Sequence, residues 1–171
     1  MRKKILFILL SFSCILLSSH AQKELKFGHI NTQELMNLMP ETDSAKMKLQ
    51  RETKHLEEEL DQMQVELNKK YNDYLANRES LSKLVRDTKE AELQEMQQRL
   101  QNFQMSAENE LQNLRTELFK PIYDKVNKAI EKVGKANNFT YIFDSSVGAV
   151  LYYSEQSIDI MPLLKKELGL K

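Results

Sequence analysis

Two stretches of this sequence carry the same helical apolar rhythm: LQRETKHLEEELDQMQVELNKKYNDYLANRESL at residues 49–81 and LQEMQQRLQNFQMSAENELQNLRTELFKPIYDKV at residues 93–126. In both, a leucine, a methionine or an aromatic residue returns at steps near three, four or seven, with charged and amide side chains between. Such a stripe is too narrow to enclose a globular core. The two stretches must therefore bury their stripes on each other or on another surface.

The rhythm loses phase between the two stretches, around Ser80 to Lys83. Ser82 and Asp87 are both suited to cap the start of a second helix, because a short polar side chain can accept a hydrogen bond from a free backbone N–H. We predict a tight turn joining two antiparallel helices. One continuous helix is the alternative, and the similar lengths of the two arms favour the hairpin.

Short strand-like segments lie at both outer ends of the helical stretches. LKFGHI at residues 25–30 is typical of a strand, and the capped helical turn after it ends before Pro40. FTYIFD at residues 139–144 alternates aromatic and smaller side chains, and a turn leads from it into AVLYY at residues 149–153. We predict that these two segments pair as a β-hairpin.

Four residues predict where the helices begin, bend or restart. Thr42 and Asp43 are suited to cap the first long helix. Pro121 removes a backbone hydrogen bond inside the second, so we expect a kink or a restart there. Asp159 is suited to cap a final amphipathic helix that tolerates a proline in its first turn.

The first 21 residues have the form of a secretory signal peptide. Arg2, Lys3 and Lys4 precede an apolar run at residues 5–17, and small residues stand at the expected cleavage positions. A retained membrane anchor is the alternative, but the run is shorter than the ~20 residues that span a bilayer. We predict cleavage after residue 21 and an exported mature chain that begins near Gln22.

Composition argues against several classes of function. The single cysteine, Cys14, is removed with the signal peptide, which leaves no thiol for catalysis or metal binding. The 25 basic and 25 acidic residues become 22 and 25 without the three basic residues of the signal peptide, a net charge of −3 that disfavours nucleic-acid binding. His55 and Glu59 lie one helical turn apart but lack the second histidine of a zinc-protease motif. We therefore expect neither an enzyme nor a metal or cofactor site.

The mature chain offers little material for a large core of its own. It contains no tryptophan, and charged residues crowd its middle. The apolar segments at its two ends are small, and small domains bury a low fraction of their surface. We therefore expect the protein to gain stability by oligomerisation.

The order of these elements resembles the Skp (OmpH-like) family of periplasmic chaperones for outer-membrane proteins. The matching segments are FGHINTQEL at 27–35, SLSKLVRDTKEAEL at 80–93, KPIYDKVNKAIEKVGKANNFTYIFD at 120–144, and VLYY followed by SIDI at 150–160. The resemblance implies a mostly α fold with a small β part, in which a long antiparallel α-helical hairpin stands on a body that trimerises into a barrel. It divides the chain into an arm at 42–120, with its tip near 80–87, and a body at 22–41 and 121–171.

The resemblance also implies a function: an ATP-independent periplasmic holdase that binds unfolded outer-membrane proteins in a cavity between helical arms and prevents their aggregation. The alternative is a periplasmic coiled-coil hairpin adaptor or structural scaffold. By similarity, six residues map onto the trimer body, and each could equally pack within one subunit: Phe27, Ile30, Tyr141, Phe143, Val150 and Tyr152. The candidates for client contact are Arg78, Lys83, Arg86, Lys89, Met105 and Tyr74.

Charge varies only weakly along the arm. Residues 69–90 contain six basic and four acidic side chains, whereas residues 43–68 contain four and seven. Members of the family are often strongly basic at their tips, and this chain departs from that pattern. Contact with a membrane surface therefore stays open, and a solvated helical face is the simpler interpretation of these charges.

Overall fold

The structure, a computed structural model, describes residues 25–171. The predicted signal peptide lies outside these described residues. No helix between residues 25 and 171 is both long and apolar enough to cross a membrane. The elements in chain order are β1 Phe27–Ile30, α1 Thr32–Asn37, α2 Pro40–Asn77, a 3-10 turn Arg78–Ser80, α3 Lys83–Ala136, β2 Tyr141–Asp144, β3 Ile158–Asp159 and α4 Met161–Leu168.

Helices α2 and α3 form the predicted antiparallel hairpin. Lys125 of α3 bonds to Glu41 at the start of α2, whereas Lys70 near the end of α2 bonds to Glu92 near the start of α3. The start of α2 thus contacts the later part of α3, and the end of α2 contacts the start of α3, so the two helices are antiparallel. The alternative of one continuous helix is therefore wrong.

The turn of the hairpin lies where the apolar rhythm loses phase. After the 3-10 turn, Ser82 adopts an extended backbone and its hydroxyl accepts a hydrogen bond from the N–H of Val85 at 3.4 Å. This is the geometry of an N-cap, so α3 begins at Lys83. Of the two predicted caps, Ser82 is confirmed, whereas Asp87 lies inside the helix and pairs with Lys83.

The predicted start of α2 is wrong by about one turn. Helix α2 begins at Pro40, after Met39 in an extended conformation, and not after Thr42 or Asp43. Proline is favoured at a first helical position because its missing N–H would have no partner there in any case. Thr42 instead lies within the first turn, 1% exposed, and its hydroxyl has no hydrogen-bond partner among the described residues.

Helix α3 continues through Pro121, so the predicted restart is not observed. The following residues Ile122 and Val126 are buried in the core. Burial of this apolar face offsets the loss of one backbone hydrogen bond. The helix ends at Ala136, and Asn138 then takes the left-handed conformation with φ 56°.

The three strands form a parallel sheet in the order β2-β1-β3. The predicted β-hairpin between residues 139–144 and 149–153 is therefore wrong. Strand β2 pairs with β1, with Phe27 opposite Tyr141 and Ile30 opposite Asp144, and residues 149–153 form no strand. Alternation of side chains predicts a strand and its two faces, but it carries no information on the partner strand.

One core joins the sheet to the base of the hairpin. Gly28 lies so close to its neighbours that a Cβ atom there would stand 3.0 Å from Phe139 and 3.1 Å from Ile160. Helix α4 closes the core. Its N-cap is Ile160 and not the predicted Asp159, although the Asp159 carboxylate accepts a hydrogen bond from the N–H of Met161 at 2.9 Å. The buried residues of this core are Ile30, Leu35, Met36, Met39, Ala45, Ile122, Val126, Ala129, Val133, Ile160 and Leu164.

Candidate functional site

The apolar stripe of the arms is mostly an internal seam between α2 and α3. Its most buried members are Leu56, Leu67 and Tyr74 of α2 and Leu100 of α3. Met63, Met96 and Phe103 are half-buried in the same seam. Tyr71, whose spacing also fits the stripe, lies outside the seam and is exposed. The hairpin therefore buries most of the apolar stripe between its own two helices.

Tyr74 belongs to the seam and is removed from the candidates for client contact. Its side chain is 6% exposed. Its hydroxyl donates a hydrogen bond to the Glu90 carboxylate on the facing helix, and this bond raises the pKa of Tyr74 above its ordinary value. Because the Tyr74 ring is buried and its hydroxyl is bonded to the facing helix, this side chain is not available for contact with a client.

The other five candidates for client contact lie on or near the surface of the hairpin. Met105 is exposed, and the cations Arg78, Lys83 and Lys89 stand exposed at or near the tip. Arg86 is half-buried. Their contact with a client stays a prediction.

The arms also present apolar side chains that the stripe does not account for. Each lies outside the seam, and all but Tyr71 stand at positions where the helical rhythm would place a polar residue. The signal that identifies the others is therefore an apolar residue out of phase with the stripe. The exposed members are Met47, Val65, Tyr71, Leu75, Leu84 and Val85, in addition to Met105.

A second apolar surface covers the outer face of the sheet. The rings of Phe27, Tyr141 and Phe143 stack on one another with centroids between 6.0 and 6.4 Å apart, and all three are exposed. Beyond them, Leu151 is 94% exposed and Tyr152 is 82% exposed. Large apolar side chains gathered in this way mark an interaction surface. We call these five residues the body face.

Two predicted body residues differ from the rest. Ile30 is 1% exposed and packs within the subunit, beneath the sheet, which is the alternative left open for it. Val150 is half-buried and lines an open groove of about 1420 Å³ between the sheet and residues 149–157. The His29 ring holds this segment in place, since it stacks on Tyr153 at 3.9 Å and its Nδ1 lies 2.9 Å from the Ser157 hydroxyl.

Asp144 connects the end of β2 to the start of α1. Its carboxylate accepts hydrogen bonds from the Thr32 hydroxyl at 2.6 Å, the Thr32 N–H at 3.3 Å and the Ser146 N–H at 2.8 Å. Burial is the largest single influence and works to raise the pKa of Asp144. The hydrogen bonds together outweigh it and hold that pKa below its usual value.

We expect Asp144→Asn to lower the free energy of unfolding by about 1–3 kcal/mol at neutral pH, because charge-assisted hydrogen bonds are lost. The stabilisation from a carboxylate with a depressed pKa is complete above its ordinary pKa and is lost as the pH falls through the folded-state value. The difference between wild type and variant, measured by urea unfolding at fixed protein concentration, should therefore shrink as the pH falls below the ordinary pKa of an aspartate. Asp87→Asn, on an exposed pair, serves as the control. A difference independent of pH would contradict this role of the charge.

Within residues 25–171, no three histidine, cysteine or acidic residues form a group that could hold a metal ion. His55 and Glu59 form an exposed pair at 3.5 Å on one helix. The geometry supports binding through apolar surface on the arms and on the body face.

Fold and surfaces together define a protein of long helical hairpin arms on a small body with an unpaired apolar face. The chain belongs to the OmpH-like outer membrane protein family, whose model matches residues 26–168. A similar fold is found in the crystal structure of a candidate OmpH-like outer membrane chaperone from Caulobacter crescentus CB15. That structure has a TM-score of 0.69 and 15% identity, with 88% of each chain covered. Among proteins with curated functions, none matches the sequence significantly.

Proposed function

We propose that this protein is an ATP-independent periplasmic holdase that binds unfolded outer-membrane proteins between its arms and prevents their aggregation. The observation that carries the proposal is the set of apolar side chains exposed along the hairpin, away from its own seam. Membership of the OmpH-like family and the chaperone designation of the Caulobacter relative support it. Export by a cleaved signal peptide would bring the chain to the compartment that its clients cross.

The proposed active form is a homotrimer in which the body faces of three copies pack together into a barrel. Phe27, Tyr141 and Phe143 present a ready apolar surface for such packing. Three arms would then extend from the joined bodies around a central cavity. The proposed division of the chain is a body at 22–41 and 121–171 and an arm at 42–120. In this division the body provides the surface for assembly and the arm provides the surface for client binding.

Holding would work by many weak contacts. An unfolded barrel protein exposes alternating apolar segments that aggregate through strand pairing. Methionine side chains such as Met47 and Met105 are flexible and polarizable, so they adapt to varied sequences. Three arms acting at once raise the effective affinity without any strong single contact. Binding only the unfolded client then shifts its equilibrium by mass action, and folding of the client into the membrane releases it without nucleotide.

Light scattering of a urea-diluted outer-membrane barrel protein, without nucleotide, tests the proposal. We expect an excess of trimer over client to suppress the scattering. A matched variant with Met47, Val65 and Met105 replaced by glutamine should suppress it less, while its circular dichroism stays unchanged because the three side chains are exposed. Absence of suppression by the wild-type protein would overturn the chaperone proposal and favour the adaptor or scaffold.

A further inference from the structure

A groove of about 530 Å³ lies where α1, α2 and α3 meet at the base of the arm. Three cations line it: Lys46 of α2, and Arg115 and Lys120 of α3. No carboxylate is among the described residues that line it. Lys120 also pairs with Asp124 at 2.8 Å, but this pair is exposed and therefore weak, so Lys120 remains available to another anion.

The walls of this cationic groove are apolar and offer hydrogen bonds. Met36, Leu49, Phe119 and Tyr123 supply apolar surface, and Tyr123 is exposed. Thr42 also borders the groove, and its buried hydroxyl has no hydrogen-bond partner among the described residues. A buried polar group without a partner is costly. The groove therefore offers the hydroxyl of Thr42 for a hydrogen bond and carries an excess of positive charge.

A second groove on the same hairpin has the opposite charge. It is lined by Glu52, Glu110 and Glu117, with no cation among its lining residues in the described chain. Helical periodicity places Lys46 and Glu52 on opposite sides of the seam, and likewise Arg115 and Glu110. The two grooves therefore carry opposite charges, although a third groove nearer the body mixes Lys48 and Lys125 with Glu41 and Glu117.

We propose that the cationic groove binds carboxylate-bearing apolar segments of unfolded clients, with an aspartate or glutamate held by Arg115 and Lys46 and an adjacent apolar side chain on Phe119 and Tyr123. The inference rests on the proposed function and names the chemical class of client segment that one site takes. Arginine suits this role because its planar guanidinium can bond both oxygens of a carboxylate.

A peptide segment fits this groove better than an anionic membrane does. The groove runs between α2 and α3, so an extended peptide chain can contact side chains of both helices at once. The acidic second groove of the hairpin and the net negative charge of the mature chain both repel an anionic bilayer. Charge complementarity therefore points to an acidic peptide segment.

The test compares two labelled peptides, one alternating phenylalanine with glutamate and one alternating phenylalanine with glutamine, by fluorescence anisotropy with the full mature protein. Lys46→Gln/Arg115→Gln should weaken binding of the glutamate peptide at least about tenfold and leave the glutamine peptide unchanged. Lys54→Gln/Arg99→Gln is the matched control. It removes the same two residue types from the same two helices at exposed positions outside the groove.

Equal weakening of both peptides, or equal weakening by the control variant, would overturn the inference, because either result reports lost apolar contact or net charge alone. A competition experiment gives a second way to overturn the inference. If anionic phospholipid vesicles displace the glutamate peptide from the wild-type protein and zwitterionic vesicles do not, the groove binds membrane and not a client segment. Light scattering with an unfolded barrel protein separates this inference from the chaperone proposal. If the wild-type protein suppresses aggregation but binds the two peptides equally well, the chaperone proposal stands and the assignment of the groove is wrong.

Discussion

Replacing Tyr141 and Phe143 of the body face with glutamate should convert a trimer into folded monomers. Both side chains are exposed in the single subunit, at 60% and 44%, so the subunit itself loses little on their replacement. In the proposed trimer the same two positions are buried against other copies. Burying a carboxylate without a partner costs several kcal/mol, so two such changes should raise the dissociation constant about a thousandfold or more.

Analytical ultracentrifugation at micromolar concentration measures this change as a fall from three subunit masses to one. Circular dichroism should show the same helix content, since the hairpin and core are untouched. Tyr71→Glu is the matched control, because Tyr71 is an exposed aromatic residue of similar exposure on the arm. A double variant that remains trimeric would place the interface elsewhere, and a monomeric wild type would overturn the proposed assembly.

The hairpin could be predicted from the sequence because its signals are local and repeated. Two stripes of similar length and a capping serine at the phase break suffice to predict two helices and the turn between them. Tyr71 and Tyr74 show the limit of that signal. Both fit a stripe with steps of three or four, and only the register against α3 determines that Tyr74 meets Glu90 while Tyr71 is exposed.

The partners of the strands could not be predicted, because the relevant information is non-local. YIFD at residues 141–144 alternates equally well in a parallel and an antiparallel pair. The observed pairing joins β1 and β2 across a long helical crossover, whereas sequence proximity favoured the nearby residues 149–153. AVLYY is apolar, as a strand would be, but its Leu151, Tyr152 and Tyr153 side chains are exposed in the single subunit. In the proposed trimer, these side chains would find their partners on another subunit.

The cationic groove shows the same dependence on register. Lys46 and Arg115 are far apart in sequence, and each alone is typical of a solvated helical face. The antiparallel register of the hairpin brings them to one groove and places Glu52 and Glu110 in another. Charge counts along the chain average over both faces and therefore miss this separation.

Leu164→Ala in α4 should lower the free energy of unfolding by about 2–5 kcal/mol, because truncating a fully buried leucine loses apolar burial and leaves a cavity. Leu164 packs with Ile160 and Ile30 in the core beneath the sheet. The cavity should therefore also loosen β3, which borders the groove beside the body face, and weaken assembly at low concentration. Urea unfolding at several protein concentrations separates the two effects, since only assembly depends on concentration. Leu163→Ala, the same change at a half-buried neighbour, should cost clearly less, and equal losses at both positions would contradict a core centred on Leu164.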